Sequence, residues 1–219
     1  MRRPTSVSRE VPLQTTLRDY WDEVSNVAAE IDLACLERAA VMLLTCQARG
    51  RVVFVVGNGG SAATASHFAC DLSKGTRRDG PPTFHVVSLT DNVPLLTAWA
   101  NDSGYEHVFS EQLTALARPG DLLVAISASG NSPNVVAAVD AARSCGMGVL
   151  GLSGRSGGRL ARLVDVVVNV PSDRIEVVED AHLIVAHSLC VAVRERVASG
   201  ETPVPTTGLS VVPGRRAGR

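Results

Sequence analysis

The chain has 219 residues, of which 45% are hydrophobic and 20% are charged, and its formal net charge is −1. Its length fits one α/β domain with a sizeable core, and its apolar content excludes an intrinsically disordered protein. A chain so close to neutral has no basic surface for nucleic acid or an anionic membrane, so we expect neither partner and only local phosphate recognition.

The cysteines and the first residues indicate a cellular compartment. The five cysteines are scattered without a Cys-x-x-Cys pair, which is typical of reduced thiols in a reducing compartment. The start, MRRPTSVSRE, is basic, but no apolar run follows it, and no segment approaches the roughly 18 apolar residues that a membrane-spanning helix needs. We therefore expect a cytoplasmic protein.

The N-terminal part of the chain predicts a flexible leader over residues 1–14, followed by one domain over 15–198. Two helical patterns run in succession over residues 15–47. In the first, apolar residues such as Leu17 and Trp21 recur at helical spacing, while charged residues take another face. Such a helical hairpin could cover its own domain or supply an oligomer interface.

Strand-like and helical segments alternate through the rest of the domain. This alternation implies right-handed crossovers and a parallel, doubly wound five-stranded sheet, and runs of Val, Ile and Leu are typical of strands buried on both faces. A segment rich in Gly, Pro, Ser and Arg over 199–219 predicts a disordered tail. The predicted strands are 52–56, 84–89, 121–127, 148–153 and 164–170, and the predicted helices beyond residue 50 are 61–73, 91–100, 107–117, 132–145, 157–163 and 177–197.

Two loops at predicted strand ends carry glycines and hydroxyl groups. GNGGSAAT (57–64) follows the first strand, and SASGNSPN (127–134) follows the third. Ligands of open parallel sheets bind outside the carboxyl ends of strands, where glycines allow close approach and helix N-termini attract anions. Either loop could be an ordinary turn with a serine cap, but together they indicate a site for a small phosphorylated ligand. The Walker pattern is absent, and Ala62 breaks the dinucleotide-binding pattern G-x-G-x-x-G.

Four segments resemble those of one known family. VVGNGGSAATASHFACDLSKG, WANDSGYEHVF, ISASGNSPNVVAAVDAAR and VEDAHLIVAH are similar, in order and spacing, to the sugar isomerase (SIS) domain family, and most to its phosphoheptose (sedoheptulose 7-phosphate) isomerase branch. The resemblance covers about residues 15–197. It implies a single flavodoxin-like α/β/α sandwich that assembles into homotetramers or dimers with sites at subunit boundaries. Of these two assemblies we expect the homotetramer.

The resemblance also implies roles for individual residues. Members of the isomerase branch use a Glu base one helical turn after a His, and then a Gln and a His on the last helix. In this chain these four positions read His67, Asp71, Glu179 and His187, so two match and two depart. The positions that the resemblance assigns to phosphate and sugar contacts are Asn58, Gly59, Gly60, Ser61, Asn101, Asp102, Ser127, Ala128, Ser129, Ser132 and Glu179.

The two departures change the chemistry of the predicted site. His67 and Asp71 share one helix face, which suits a shared metal or an acid–base pair. Asp is one methylene shorter than Glu, and a misplacement of about 1 Å can lower a rate about 10²-fold. Glu179 adds a negative charge, so the four residues together predict a divalent-cation site, with zinc as the expected metal. Glu179 and His187 lie about 12 Å apart along a helix, so sharing one ion requires both side chains to lean inward, or Glu179 to lie at the frayed start of the helix.

Two functions from different classes fit these residues. The first is an aldose–ketose isomerase that converts sedoheptulose 7-phosphate to D-glycero-D-manno-heptose 7-phosphate through an enediol, with Asp71 as base and His187 as acid. The second is a non-catalytic sugar-phosphate sensor, or a scaffold that associates with a replication initiator, as some members of the same family are. Asp71 and Glu179 favour the second, because changed catalytic positions are what a retired enzyme would have.

Other residues carry plainer expectations. We expect His182 to pack in the core or at an interface, because it points about 140° away from His187 on the last helix. His85 lies within a strand and is expected to be a core group, and Cys70 is expected to be a packed thiol without an activating neighbour. Tyr105 lies beside the loop that follows the helix at 91–100, where it could touch a ligand.

Overall fold

Five parallel strands form one sheet in the order β2-β1-β3-β4-β5 in the computed structural model, which describes residues 12–77 and 83–199. This is the strand order of flavodoxin-like proteins, and the predicted fold class is confirmed. Residues 1–11 of the predicted leader and 200–219 of the predicted tail lie outside the described residues. The strands are β1 Val52–Val56, β2 His85–Ser88, β3 Leu122–Ser127, β4 Gly148–Ser153 and β5 Val166–Asn169.

Helices cover both faces of the sheet. One core cluster joins α1, α2, α3 and α7 to one face, and a second joins α5 and α6 to the other. Within the described part of the chain, no helix is both long enough and apolar enough to cross a bilayer. The helices are α1 Leu13–Glu30, α2 Leu33–Ala48, α3 Gly60–Cys70, α4 Val93–Asp102, α5 Ser110–Leu116, α6 Pro133–Ser144 and α7 Ile175–Ser199.

Both faces of strand β1 are buried, which explains the unbroken apolar run in its sequence. Successive side chains of a strand point to opposite faces. Val53 and Val55 therefore join the core beneath α3 and α7, whereas Phe54 and Val56 join the core beneath α5 and α6. Burial of one such side chain stabilises the fold by about 1.5–3 kcal/mol, so both faces of the strand must be apolar.

The predicted helix over 157–163 is wrong. Only a 3₁₀ turn forms there, at Leu160–Arg162. Gly157 and Gly158 have φ values of +64° and +54°, in the left-handed region that a right-handed helix does not use. The glycine pair thus gives an irregular connection between β4 and β5.

Two predictions of buried side chains are also wrong. His85 is exposed, because β2 is an edge strand with only partial cover. Cys70 is exposed because it lies two residues, and thus about 200°, beyond Phe68, which faces the core. His182, by contrast, is fully buried, as predicted.

Polar contacts tie α1 to the beginning of α7. The Tyr20 hydroxyl donates a hydrogen bond to Asp180 Oδ2 at 2.6 Å, and this bond to a carboxylate raises the pKa of Tyr20 to about 12. The Arg174 guanidinium lies 4.8 Å from the centroid of the Tyr20 ring and pairs with Glu23 at 3.2 Å. These contacts hold the two helices in register at the end of α7 that carries Glu179.

Candidate active site

The loop between β1 and α3 requires glycine at two positions. A Cβ on Gly57 would lie 2.6 Å from the carbonyl oxygen of Ser61, and Gly59 has a φ of +54° immediately before the helix. No side chain caps α3, so the first N–H groups of the helix have no partner within it. The loop therefore leaves an open helix N-terminus at the carboxyl end of β1, as predicted.

The loop after β3 gathers three hydroxyl groups. Ser127 Oγ lies 3.5 Å from Ser129 Oγ and 3.1 Å from Ser132 Oγ. Ser132 precedes α6 but does not cap it with its side chain, so its hydroxyl is not used by the helix. Three convergent hydroxyls at a helix start can donate to the oxygens of one phosphate group. We refer to Ser127, Ser129 and Ser132 as the serine cluster.

A pair of amides joins the two loops. Asn58 Nδ2 donates to Asn134 Oδ1 and Asn134 Nδ2 donates to Asn58 Oδ1, both at 2.8 Å. The Tyr105 hydroxyl also donates to Asn58 Oδ1 at 3.0 Å. Asn58 thus holds the two loops side by side rather than standing free for a ligand. Asn134 is the last residue of the loop motif SASGNSPN and is buried in the first turn of α6, but sequence reasoning assigned it no role.

His67, Asp71 and His187 converge on one point. The Nε2 atoms of the two histidines are 2.8 Å apart, and Asp71 Oδ2 lies 3.3 Å from the Nε2 of His67 and 3.6 Å from that of His187. The three ligand atoms all lie within 4.8 Å of one another. Two imidazole nitrogens and one carboxylate oxygen are a donor set that catalytic zinc sites use, with a further position open for substrate. The described residues therefore fit a divalent cation.

Asp71 lies where the geometry of α3 changes. The α-helix ends at Cys70, and the five residues from Asp71 to Gly75 form a π-helical turn. Such turns are rare and occur frequently at functional sites. The predicted helix over 61–73 was thus correct in place but not in its winding after Cys70.

Helices α3 and α7 run side by side in the same direction, as two contacts between them show. Glu179 meets Gly60 near the beginning of both helices, and His187 meets His67 farther along. Seven residues of α3 separate these two contacts, which is about 10.5 Å along the helix axis. Glu179 therefore lies at one end of the contact between α3 and α7, and the histidine pair lies at the other.

The structure separates Glu179 from the predicted metal ligands. Among the described residues only His67, Asp71 and His187 form the cluster, and Glu179 does not belong to it. The Glu179 carboxylate occupies the space that a Cβ on Gly60 would need. Three of the four predicted metal ligands thus come together, and Glu179 does not join them, because eight residues of α7 separate it from His187 and its side chain leans on the opposite end of α3.

The remaining predicted contact residues lie around the same edge of the sheet. Asn101 and Asp102 are exposed at the end of α4, where Asn101 Nδ2 donates to Asp102 Oδ1 at 2.8 Å. Tyr105, three residues later, connects this segment to the loop after β1. The Ala128 carbonyl already accepts a hydrogen bond from the Gly154 N–H at 2.9 Å.

His182 lies on α7 between Glu179 and His187 but points into the core. Neither ring nitrogen makes a hydrogen bond of normal geometry within the described residues. Burial lowers the pKa of His182 to about 4, and the nearby backbone of Ser153 offsets this shift only in part. The side chain is therefore neutral at pH 7 and takes no part in the cluster of His67, Asp71 and His187.

The fold and these groups define a class. A flavodoxin-like sheet with open helix starts, a hydroxyl cluster and a His–Asp–His cluster at its carboxyl edge is an α/β protein built for a small phosphorylated ligand. The sequence model of the SIS domain matches residues 19–154, more than half of the chain. This chain belongs to the SIS domain family.

Relatives of known sequence and structure narrow this family assignment. The chain is 43% identical over 166 residues to the phosphoheptose isomerase of Rhodospirillum rubrum, covering 76% of this chain and 87% of that protein. It is 46% identical over 155 residues to the phosphoheptose isomerase of Nitratidesulfovibrio vulgaris, covering 71% and 74%. Its fold matches the phosphoheptose isomerase GmhA from Neisseria gonorrhoeae with a TM-score of 0.78 and 37% identity, covering 84% of this chain and 100% of that one. A phosphoheptose isomerase from Francisella tularensis matches with a TM-score of 0.79, 30% identity and the same coverage.

Proposed function

We propose that this protein is a phosphoheptose isomerase that interconverts sedoheptulose 7-phosphate and D-glycero-D-manno-heptose 7-phosphate. The observation that carries the proposal is the convergence of His67, Asp71 and His187 in a chain about 40% identical to phosphoheptose isomerases. The serine cluster supplies the hydroxyls for the phosphate. The reacting end of the sugar then extends toward the histidines.

The reaction moves one proton between two neighbouring carbons. We assign Asp71 as the base that takes a proton from C1 of the ketose and returns it to C2 of the enediol. His187 donates a proton to the C2 oxygen and accepts one from the C1 hydroxyl, which leaves an aldehyde at C1. The contact of Asp71 with both imidazoles orients its carboxylate toward the place where these transfers occur.

A divalent cation, expected to be zinc, belongs to this proposal. The residues that would hold it are His67, Asp71 and His187. When bound, it supplies Lewis-acid polarisation of the sugar oxygens. With only three protein ligands, such a site leaves room for substrate.

The proposal also includes a homotetrameric assembly and a cytoplasmic location. Leu13, Leu17 and Trp21 lie on α1 with 82%, 63% and 69% of their surface exposed, a stripe that supports a homotetramer. All five cysteines are free, which supports a reducing, cytoplasmic location.

The test is incubation of the purified, metal-loaded protein with sedoheptulose 7-phosphate, with detection of the aldose by NMR. Conversion that Asp71→Asn abolishes would support the isomerase. Thermal stabilisation by the sugar phosphate without turnover, across several ketose phosphates, would instead select the sensor function that the changed residues Asp71 and Glu179 favour.

A further inference from the structure

The loop that carries the serine cluster packs, backbone against backbone, on the connection between β4 and β5, residues 154–165. A Cβ on Gly130 would collide with the carbonyl oxygen of Gly157. A Cβ on Gly158 would lie 2.6 Å from the carbonyl oxygen of Ser129. Gly130 and Gly158 also have positive φ values, +64° and +54°. The two segments can approach so closely only because glycine stands at these positions.

Backbone hydrogen bonds fix this contact. The Gly154 N–H donates to the Ala128 carbonyl at 2.9 Å. The Leu160 N–H donates to the Gly130 carbonyl, also at 2.9 Å. In both bonds the connection donates and the loop of the serine cluster accepts. A carbonyl group points roughly toward its donor, so these two carbonyl oxygens, which would repel a phosphate, turn toward the connection.

The Asn131 side chain bridges the loop and the connection. Its Oδ1 accepts from the Arg159 N–H at 3.0 Å, and its Nδ2 donates to the Ser129 carbonyl at 2.9 Å. One amide thus uses its acceptor on the connection and a donor on the loop. These two bonds hold Asn131 in the position from which its own backbone N–H reaches Ser129 Oγ, at 3.2 Å.

The bond from the Asn131 N–H determines what the Ser129 hydroxyl can offer. A serine oxygen that accepts a hydrogen from the backbone keeps its own hydrogen for another acceptor. Ser127 Oγ lies closer to Ser132 Oγ, at 3.1 Å, than to Ser129 Oγ, at 3.5 Å, so Ser127 and Ser132 can satisfy each other. The Ser129 hydrogen is then available to a phosphate, whose oxygens are strong acceptors.

We propose that Asn131 is a positioning residue for phosphate binding, which acts by holding the Ser129 hydroxyl in the orientation that donates to the ligand. This rests on the proposed function, since it takes the serine cluster as the phosphate site. Ser129 and Asn131 are both exposed, so water competes for their polar groups once the amide bridge is removed. The connection between β4 and β5 thereby supports the phosphate site from behind, through Asn131.

The experiment is a double-mutant cycle on the full chain, with the dissociation constant for sedoheptulose 7-phosphate measured by calorimetry. Asn131→Ala is expected to raise this constant about three- to tenfold, the loss that accompanies removal of orienting hydrogen bonds. Added to Ser129→Ala, the same change is expected to cost less than about twofold, because residues that act through one group are not additive. In the isomerase assay, KM should rise by the same factor with little change in kcat.

The matched control is Ser156→Ala, which changes an exposed residue of the same connection and is expected to bind like the wild type. Equal dissociation constants for the wild type and Asn131→Ala would overturn the proposal. A full additional loss in the double variant would also overturn it, because Asn131 would then act independently of Ser129. A wild type that binds the sugar phosphate without turnover contradicts the isomerase and leaves this cycle intact, whereas a wild type that binds none overturns both.

Discussion

The Nε2 atoms of His67 and His187 lie 2.8 Å apart, although 120 residues separate them in the sequence. At this distance and without a cation, one of the two Nε2 atoms carries a hydrogen that the other accepts. Asp71 Oδ2 lies within 3.6 Å of both nitrogens. The chain has thus brought three proton- or metal-binding atoms from two helices to one point.

Replacement of Asp71 tests the base. Asp71→Asn is expected to lower kcat about 10²–10⁴-fold, because an amide cannot accept the C1 proton. Asp71→Glu is expected to remain active, because it lengthens the carboxylate by one methylene and keeps the charge. Asp140→Asn, an exposed change on α6, is the control. Full activity of Asp71→Asn in a steady-state assay would remove Asp71 from the mechanism.

Metal binding should stabilise the fold. A cation that binds only the folded protein adds about 2.7 kcal/mol at 100 times its Kd. Chelation followed by addition of zinc is therefore expected to raise the melting temperature of the wild type. His67→Gln should abolish this rise, whereas His107→Gln, exposed and outside the cluster, should not. An identical rise in all three proteins would show that the ion binds elsewhere.

Loss of one hydroxyl of the serine cluster is expected to weaken binding of the sugar phosphate. Ser132→Ala removes a hydroxyl that Ser127 contacts and that no helix cap uses. Hydrogen bonds to charged groups contribute about 1.5–3 kcal/mol, so KM for the sugar phosphate should rise about tenfold or more with a smaller change in kcat. Ser144→Ala is the control, because the hydroxyl of Ser144 donates to the Asp140 carbonyl of its own helix and lies outside the serine cluster. Equal KM values for the two variants would contradict a phosphate role for the cluster.

A charge placed on the exposed apolar stripe of α1 tests whether this face joins subunits. Trp21→Glu places a carboxylate on a side chain that is 69% exposed in the single chain. If this face joins subunits, light scattering should show a smaller assembly, while circular dichroism should show an intact fold. Asp22→Lys, a charge change at the neighbouring polar position, is expected to disturb assembly less. A tetramer that survives Trp21→Glu would place the interface on another surface.

The sequence predicted the elements whose physics is local. The strands at 52–56 and 148–153 have the predicted bounds, because both faces are buried and unbroken apolar runs identify them. The edge strand His85–Ser88 was placed correctly, but the exposure of His85 depends on strand order, which no local pattern contains. Helix 157–163 failed where two glycines adopt positive φ.

The candidate site divides in the same way. The i, i+4 spacing of His67 and Asp71 was readable from the helix repeat, and the structure keeps the pair together. The amide pair of Asn58 and Asn134 joins residues 76 apart and was not readable. Glu179 was placed with the metal ligands by resemblance, although the length of α7 between it and His187 already argued for the separation that the structure has.

Buried His182 makes stability depend on pH. Burial lowers its pKa to about 4 in the folded protein, against 6.5 for the free side chain. Between these values the unfolded chain binds a proton that the folded chain does not, so stability is full above pH 6.5 and is lost as the pH falls toward 4. From the two pKa values, the loss between pH 7.5 and pH 5 is about 2 kcal/mol.

Urea unfolding of the wild type and His182→Leu at one protein concentration isolates this contribution. Leucine cannot bind a proton and fills the same apolar site, so the variant should lose about 2 kcal/mol less than the wild type when the pH falls from 7.5 to 5. Other titrating groups act equally on both proteins and cancel in the difference. His85→Leu is the control, because it replaces a histidine that is exposed in the folded protein rather than buried. Parallel pH profiles for the wild type and His182→Leu would mean that His182 finds a proton acceptor in the folded protein, and the neutral buried imidazole would have to be abandoned.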